Sequence, residues 1–227
     1  MGTAAVGAPP AAVLRRHGSL LAVDDDAALL QAWRDGDGDA GDALLGRHFK
    51  GVVRFFRSKL GDDVDDIVQQ TFADVVRARD RVATGGFRAY LMTVARHRLI
   101  DHLRRKARGP EIDPGADSVQ SLGTSVSQRL ARDEQERLLL QAMRRMPLDA
   151  QIALELAYWE GMNSVEIAAV LGVGASTIRS RLTRARESLR RALEDSTAPP
   201  SLVTESLQRL DAFAASYEGG VDDGPGV

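Results

Sequence analysis

The chain has 227 residues, 44% of them hydrophobic, with 30 Lys and Arg against 32 Asp and Glu and no cysteine, a length that accommodates one or two cores. The missing cysteines exclude disulfides and thiolate zinc sites and fit a reducing compartment. No apolar run approaches the roughly eighteen residues of a membrane span, and the N-terminus lacks the charged-then-apolar layout of a secretory signal, so a cytoplasmic protein without membrane insertion is expected.

The net charge of −2 conceals opposed blocks. Between Phe87 and Arg108, Arg88, Arg96, Arg98, Arg104, Arg105, Lys106 and Arg108 are opposed only by Asp101. Between Gly172 and Leu193 six arginines are opposed only by Glu187, and from Glu194 onward seven acids are opposed only by Arg209. Charge segregated in this way belongs to a chain with several different surfaces to present.

Taken in chain order, residues 1–22 are rich in Ala, Gly and Pro and are expected to be disordered. A first helix is expected near Asp26, a candidate cap for AALLQAW, and a second from Asp42 through Leu60 after RDGDGDAG. A third covers Asp62 to about Arg79, and a fourth about Phe87 to Ala107, with DRVATGG between them. Residues 108–127 carry Pro, Gly and Ser without apolar period and mark a flexible linker. Helices follow over about Gln128 to Met146, from Pro147, and on either side of GVG. The expectation is all-α: one helical domain over residues 23–107, a second over 128–193, and an acidic tail over 194–227 that contains an amphipathic helix.

Several motif-like stretches fail on inspection. LLAVDDDAALL resembles the opening of a response-regulator receiver, but that fold alternates strands with helices and the following hundred residues read as helix. DGDGDAGD spaces acids like a calcium loop, yet Ala40 sits where the turn glycine belongs and Gly46 where the closing glutamate belongs. GVGAST lacks the third glycine of a dinucleotide fingerprint and follows a helix. The four histidines, His17, His48, His97 and His102, have no metal-ligand spacing, and no serine sits in a nucleophile elbow. Neither a cofactor, a metal nor a catalytic residue is expected.

The strongest local pattern is NSVEIAAVLGVGASTIRSRLTRARESLRRAL. Asn163 or Ser164 caps a short helix ending at Leu171, Gly172 to Gly174 make a tight turn, and a longer helix follows, which is a helix-turn-helix. Ile178, Leu182, Ala185 and Leu189 share one narrow sector and face the core. Ser176, Thr177, Ser180, Thr183 and Arg184 occupy the opposite sector, where short and basic side chains suit the edges of bases in a major groove. Arg179, Arg181, Arg186, Arg190 and Arg191 flank this strip and suit phosphates.

With DDIVQQTFADVVRAR, FRAYLMTVARHRLIDHLRRKAR and the segment from Met143 to Arg191, in this order, the chain resembles a sigma-70 family RNA polymerase sigma factor of the small extracytoplasmic-function type, which keeps only regions 2 and 4. The resemblance runs from about Asp26 to Leu193, apart from the linker. It implies promoter-dependent initiation, with core RNA polymerase, double-stranded promoter DNA, the single-stranded non-template strand and an anti-sigma factor as partners.

On the third helix Val64, Val68, Thr71 and Val75 share a sector, with Ile67 and Phe72 at its edges. Asp66, Gln69, Gln70, Ala73 and Arg77 lie opposite, and the resemblance implies that they bind the largest core polymerase subunit; carboxylates there would repel DNA. On the fourth helix Leu91, Ala95, Leu99 and Leu103 form a packing row. The resemblance assigns that helix and the loop before it to the minus-ten element through Thr84, Gly85, Arg88, Tyr90, Arg96, His97, Asp101, Arg104 and Arg105. His97 and Tyr90 stand where many relatives carry Asn and Trp, departures that bear on base preference and on the stacking surface. The minus-thirty-five element falls to Ser176, Thr177, Arg179, Ser180, Arg181, Thr183 and Arg184. The linker, with Glu111, Asp113 and Asp117, would thread the polymerase's basic RNA path.

The rival reading is a stand-alone helix-turn-helix regulator with a helical sensor domain, which would bind DNA without polymerase. The tail is not covered by the resemblance. Val203, Leu207, Leu210, Ala214 and Tyr217 share a sector there, with Phe213 at its edge. That helix either pads the second domain or folds its acids against the recognition helix and restrains it.

Overall fold

The computed structural model describes residues 19–83, 86–107, 112–122 and 134–218. Its first bundle comprises α1 (Ser19–Arg34), α2 (Gly38–Leu60), α3 (Asp65–Ala78), a single 3-10 turn (Arg79–Arg81) and α4 (Phe87–Ala107). The second comprises α5 (Glu134–Met143), α6 (Leu148–Tyr158), α7 (Ser164–Leu171), α8 (Ala175–Glu194) and α9 (Pro200–Glu218). Among the described residues there is no strand, only an isolated bridge between Ser118 and Pro147.

The apolar rows read from periodicity are buried. Val64, Ile67, Val68 and Val75 of the α3 region pack with Leu91, Ala95, Leu99 and Leu103 of α4 and with Leu44, Val52, Phe55 and Phe56 of α2. Thr71, also buried, turns its hydroxyl back to the Ile67 carbonyl at 2.7 Å, which satisfies a polar group that the core offers no other partner. Gly41 lets α1 and α2 close tightly: a Cβ there would meet the Trp33 ring at 2.5 Å.

Several boundaries differ from the expectation. α1 begins at Ser19, inside the stretch expected to be disordered, so Asp26 is not a cap but a buried residue within a helix. Its carboxylate takes Arg47 and His48 of α2, each at 2.6 Å. Burial alone would raise the Asp26 carboxyl, but His48 and Arg47 outweigh it and hold its pKa below the ordinary value. α2 starts at Gly38 rather than Asp42 because Asp37 caps it, its carboxylate accepting from the Ala40 amide at 3.1 Å. α3 starts at Asp65, leaving Asp62 and Asp63 in the preceding turn. The helix expected from about Gln128 is described from Glu134 onward, and residues 123–133 lie outside the described residues.

Within the linker, residues 112–122 are docked on the second bundle, with Ile112 and Val119 buried. The Leu148 and Asp149 amides, first-turn donors of α6 that no intrahelical acceptor serves, donate to the Asp117 and Pro114 carbonyls at 2.8 and 2.9 Å. The two bundles touch directly: α4 packs on α7, and one hydrophobic core runs through both.

Candidate nucleic-acid interface

The helix-turn-helix is built from its caps. Asn163 accepts from the Val165 and Glu166 amides at 2.9 and 3.0 Å, while Glu166 accepts from the Asn163 amide at 2.8 Å, a reciprocal box that fixes where α7 begins. Gly172, at φ 68°, ends α7 in the left-handed conformation and turns the chain into α8. α8 then buries Ile178, Leu182, Ala185, Leu189 and Leu193.

The opposite face stays open. Ser176, Arg179, Ser180, Thr183 and Arg184 are exposed, and Thr177 and Arg181 are partly so. Arg184 lies along its own helix, donating from Nε to the Ser180 carbonyl at 3.3 Å and from Nη2 to the Ser180 hydroxyl at 3.3 Å. Arg181 approaches Asp149 at 3.8 Å, and Arg190 is ion-paired with Asp211 of α9. The strip is therefore a continuous polar surface whose arginine is held only by bonds that solvent or a base edge can replace.

On the first bundle the assigned residues separate into groups. Thr84 and Gly85 lie outside the described residues. His97, Asp101, Arg104 and Arg105 are exposed along the second half of α4, with Arg105 Nε donating to the Asp101 carbonyl at 3.2 Å. Tyr90 is half-buried against the core. Arg88 and Arg96 face the second bundle instead of solvent: Arg88 reaches Glu166 at 2.6 Å and the Glu160 carbonyl at 2.9 Å, and Arg96 reaches Asp149 at 2.8 Å. Arg98 bonds Asp74 at 2.6 Å and ties α4 to α3.

The face of α3 is as expected, with Asp66, Gln69, Gln70 and Arg77 exposed and Ala73 half-exposed. An apolar patch beside it went unread: Phe49 of α2, half-exposed, stacks on Phe72 at 5.7 Å, and Val76 one turn on is also exposed. Its signal was the i, i+4 pair Phe72 and Val76 at the edge of the buried sector. Among the described residues no cluster of His, Cys, Asp or Glu could hold a metal, and no helix is long and apolar enough to cross a membrane.

A helical bundle ending in a basic helix, joined by a linker to a helix-turn-helix with an open polar strip, defines a two-part DNA-binding protein. Residues 44–109 match sigma-70 region 2, and residues 136–189 match sigma-70 region 4. The ECF RNA polymerase sigma factor SigC of Mycobacterium tuberculosis is 32% identical over 174 residues, covering 74% of this chain and 92% of that protein. A protein of Xanthomonas campestris pv. campestris described as "Probable RNA polymerase sigma factor RfaY" is 30% identical over 165 residues, 69% of this chain, and the chain spans 37% of that relative's length. The solved structure of CnrH in complex with the cytosolic domain of CnrY superimposes with a TM-score of 0.57 at 26% identity, covering 76% of this chain and 99% of that one. The chain belongs to the sigma-70 family, as an RNA polymerase sigma factor of the ECF type. A stand-alone regulator is not favoured, because it leaves the region 2 match unexplained.

Proposed function

We propose that the three surfaces divide the work of initiation. The exposed face of α3, Asp66, Gln69, Gln70, Ala73 and Arg77 together with the Phe49 and Phe72 patch, docks on core polymerase. α4 and the loop before it hold the minus-ten element, taking up an unstacked base; extruding a base costs a few kcal/mol, so a pocket that binds only the flipped base favours the open duplex. The α8 strip reads the minus-thirty-five element, and the chain works in the cytoplasm beside the polymerase. Residues 23–107 and 128–193 act as the two modules, with 108–127 between them.

The observation that supports this division most directly is that acidic and amide side chains occupy the open face of α3 while basic ones occupy the open end of α4. A carboxylate-bearing face repels DNA and suits a protein partner, whereas an arginine-rich one gains affinity by releasing counterions. An anti-sigma factor is a further partner, supported by the structurally similar CnrH being held in a complex with a second protein.

The test is competition for core polymerase. Asp66→Ala, Gln69→Ala and Gln70→Ala, combined, alter only exposed side chains, so the variant keeps its melting temperature and competes poorly with the parent for core. A triple variant that competes as well as the parent refutes the assignment of α3.

A further inference from the structure

The last two residues of α1, Trp33 and Arg34, grip the turn that follows α3. That helix ends without a glycine: Arg79, its cap, keeps right-handed helical angles, and the chain runs straight into the 3-10 turn. Carbonyls at such an end lack intrahelical donors and need partners from elsewhere. Arg34 supplies them across the bundle. Its Nε and Nη2 donate to the Arg79 carbonyl at 3.2 and 2.9 Å, and Nη2 also donates to the Val82 carbonyl. A guanidinium at a helix C-terminus is favoured by the helix dipole as well as by these bonds.

The grip is held from behind. The Arg79 guanidinium lies over the Trp33 ring, 5.5 Å from its centroid, and that ring is wedged against Gly41 of α2, where a Cβ would meet it at 2.5 Å. From Val82, itself buried, backbone bonds continue to α4: the Gly86 amide donates to the Ala83 carbonyl at 3.0 Å, and the Tyr90 amide to the Gly86 carbonyl at 2.9 Å. Ala83 and Gly86 flank Thr84 and Gly85, which are assigned above to the minus-ten element. Arg34 therefore fixes the point from which that loop departs, although it lies 45 positions before Arg79 and outside the residues, 44–109, that match region 2.

We infer that Arg34 is a positioning residue for capture of the unstacked base, acting through the backbone at Val82 and setting the approach of Ala83 to Gly86 rather than touching DNA itself. The inference rests on the loop before α4 taking up that base, as proposed above. A pocket that accepts a flipped base works best when its frame is set before DNA arrives, because ordering the frame on binding lowers affinity. The Arg34 bonds and the buried Val82 side chain keep it set.

The test uses holoenzyme reconstituted from core polymerase and the full chain. Its probes are a fluorescent single strand that the parent selects from a random pool, and copies of that strand with an abasic site at each position in turn. The captured base is the one whose removal weakens parent binding roughly 5- to 100-fold, the worth of one stacked base. Arg34→Ala binds the intact strand more weakly by the same factor and shows an intact-to-abasic ratio near one. Arg34→Lys keeps the charge at the end of α3 but is shorter and lacks the fork, so its melting temperature stays near the parent's and its ratio lies between the two. Arg98→Ala cuts the bond to Asp74 that ties α4 to α3, loosening the same bundle elsewhere, and keeps the parent's ratio.

A parent ratio in Arg34→Ala, or an equal fall in Arg98→Ala, overturns the positioning role. If Arg34→Ala does not fold, Arg34→Lys decides, and a parent ratio there overturns the role equally. These failures leave base capture standing, since the parent still shows its abasic-sensitive position. A parent indifferent to every abasic site removes the capture reading instead, and the role of Arg34 falls with it.

Discussion

Lys59 and Glu155, ninety-six positions apart, form an ion pair buried between α2 and α6, with the lysine fully out of solvent. The Ser58 hydroxyl and Gln151 amide also bond Glu155, at 3.0 and 2.7 Å, and Arg144 donates to the Ser58 carbonyl at 2.8 Å. Burial pushes the Lys59 ammonium below its usual pKa, and Glu155 only partly opposes that. The pair is therefore a point where one partner without the other leaves an isolated charge in an apolar setting.

Breaking it from one side is costly, and neutralising both sides is less so. Lys59→Met alone should lower unfolding free energy by about 3 to 5 kcal/mol, whereas Lys59→Met with Glu155→Gln should recover part of that loss, because the amide still serves Ser58 and Gln151. Urea titrations of the parent, both single variants and the double variant measure it. Equal losses in single and double variants would mean that the pair contributes net attraction rather than registry.

This network shows where sequence reading stops. The rows on α3, α4 and α8 were legible because a 3.6-residue period records which side of a helix is apolar. The period is silent about which charged residue another bundle will cover. Lys59 beside Leu60 at a helix end reads as a solvated side chain, and Glu155 interrupts an apolar run without saying what it meets. Arg88 and Arg96 were correctly placed outside the packing row of α4, but their partners belong to another part of the chain. The start of α2 was misplaced because Asp37 sits among glycines and acids, which hid its capping role. On α9 the buried face turned out to be rotated: Ser206, Leu210 and Phe213 are the buried residues, while Val203 and Leu207 sit at the margin.

Arg184 and Arg179 should separate base reading from phosphate contact. Arg184→Ala should cost about 1 to 3 kcal/mol at one base position of the minus-thirty-five element. Arg179→Ala should weaken binding evenly across sequences and lower the salt slope by about one. Binding of polymerase holoenzyme to a panel of single-base promoter variants distinguishes them. An even loss from Arg184→Ala would remove it from the base readers.

His102 gives a pH prediction. Its pKa is lowered from 6.5 by burial first, then by the charges of Lys106 and Arg105. The folded state therefore binds fewer protons than the unfolded state, so this contribution is intact above 6.5 and is lost as pH falls through the folded value. His102→Gln should remove part of the acid-side fall in melting temperature. The comparison is a difference between parent and variant, which cancels every group that the two proteins share. Identical slopes for the two proteins would show that His102 is not perturbed.

The tail helix packs on α5 and α8 and leaves the α8 strip open. Phe213 lies 4.6 Å from the Tyr158 ring and 5.7 Å from that of Tyr217, and Leu210 is buried beside them. Asp211 engages Arg190, at the flank of the strip, and Glu205 engages Gln135 of α5, so these two acids lie beside and behind the strip rather than over its base-facing residues. This arrangement favours padding over restraint. Phe213→Ala should cost about 3 kcal/mol, near the lower end for a buried phenylalanine, because the loss cannot exceed the docking free energy of α9. At roughly 2 to 4 °C per kcal/mol for a chain of this size, the melting temperature should fall by about 6 to 12 °C. Truncation after Thr197 keeps the bonds that finish α8, in which the Asp195 and Ser196 amides donate to the Arg191 and Leu193 carbonyls at 2.9 and 3.1 Å. The truncated protein should melt lower and bind minus-thirty-five duplex no more tightly than the parent at any salt. A gain in affinity on truncation, largest at low salt, would instead show that the acidic segment screens the recognition helix.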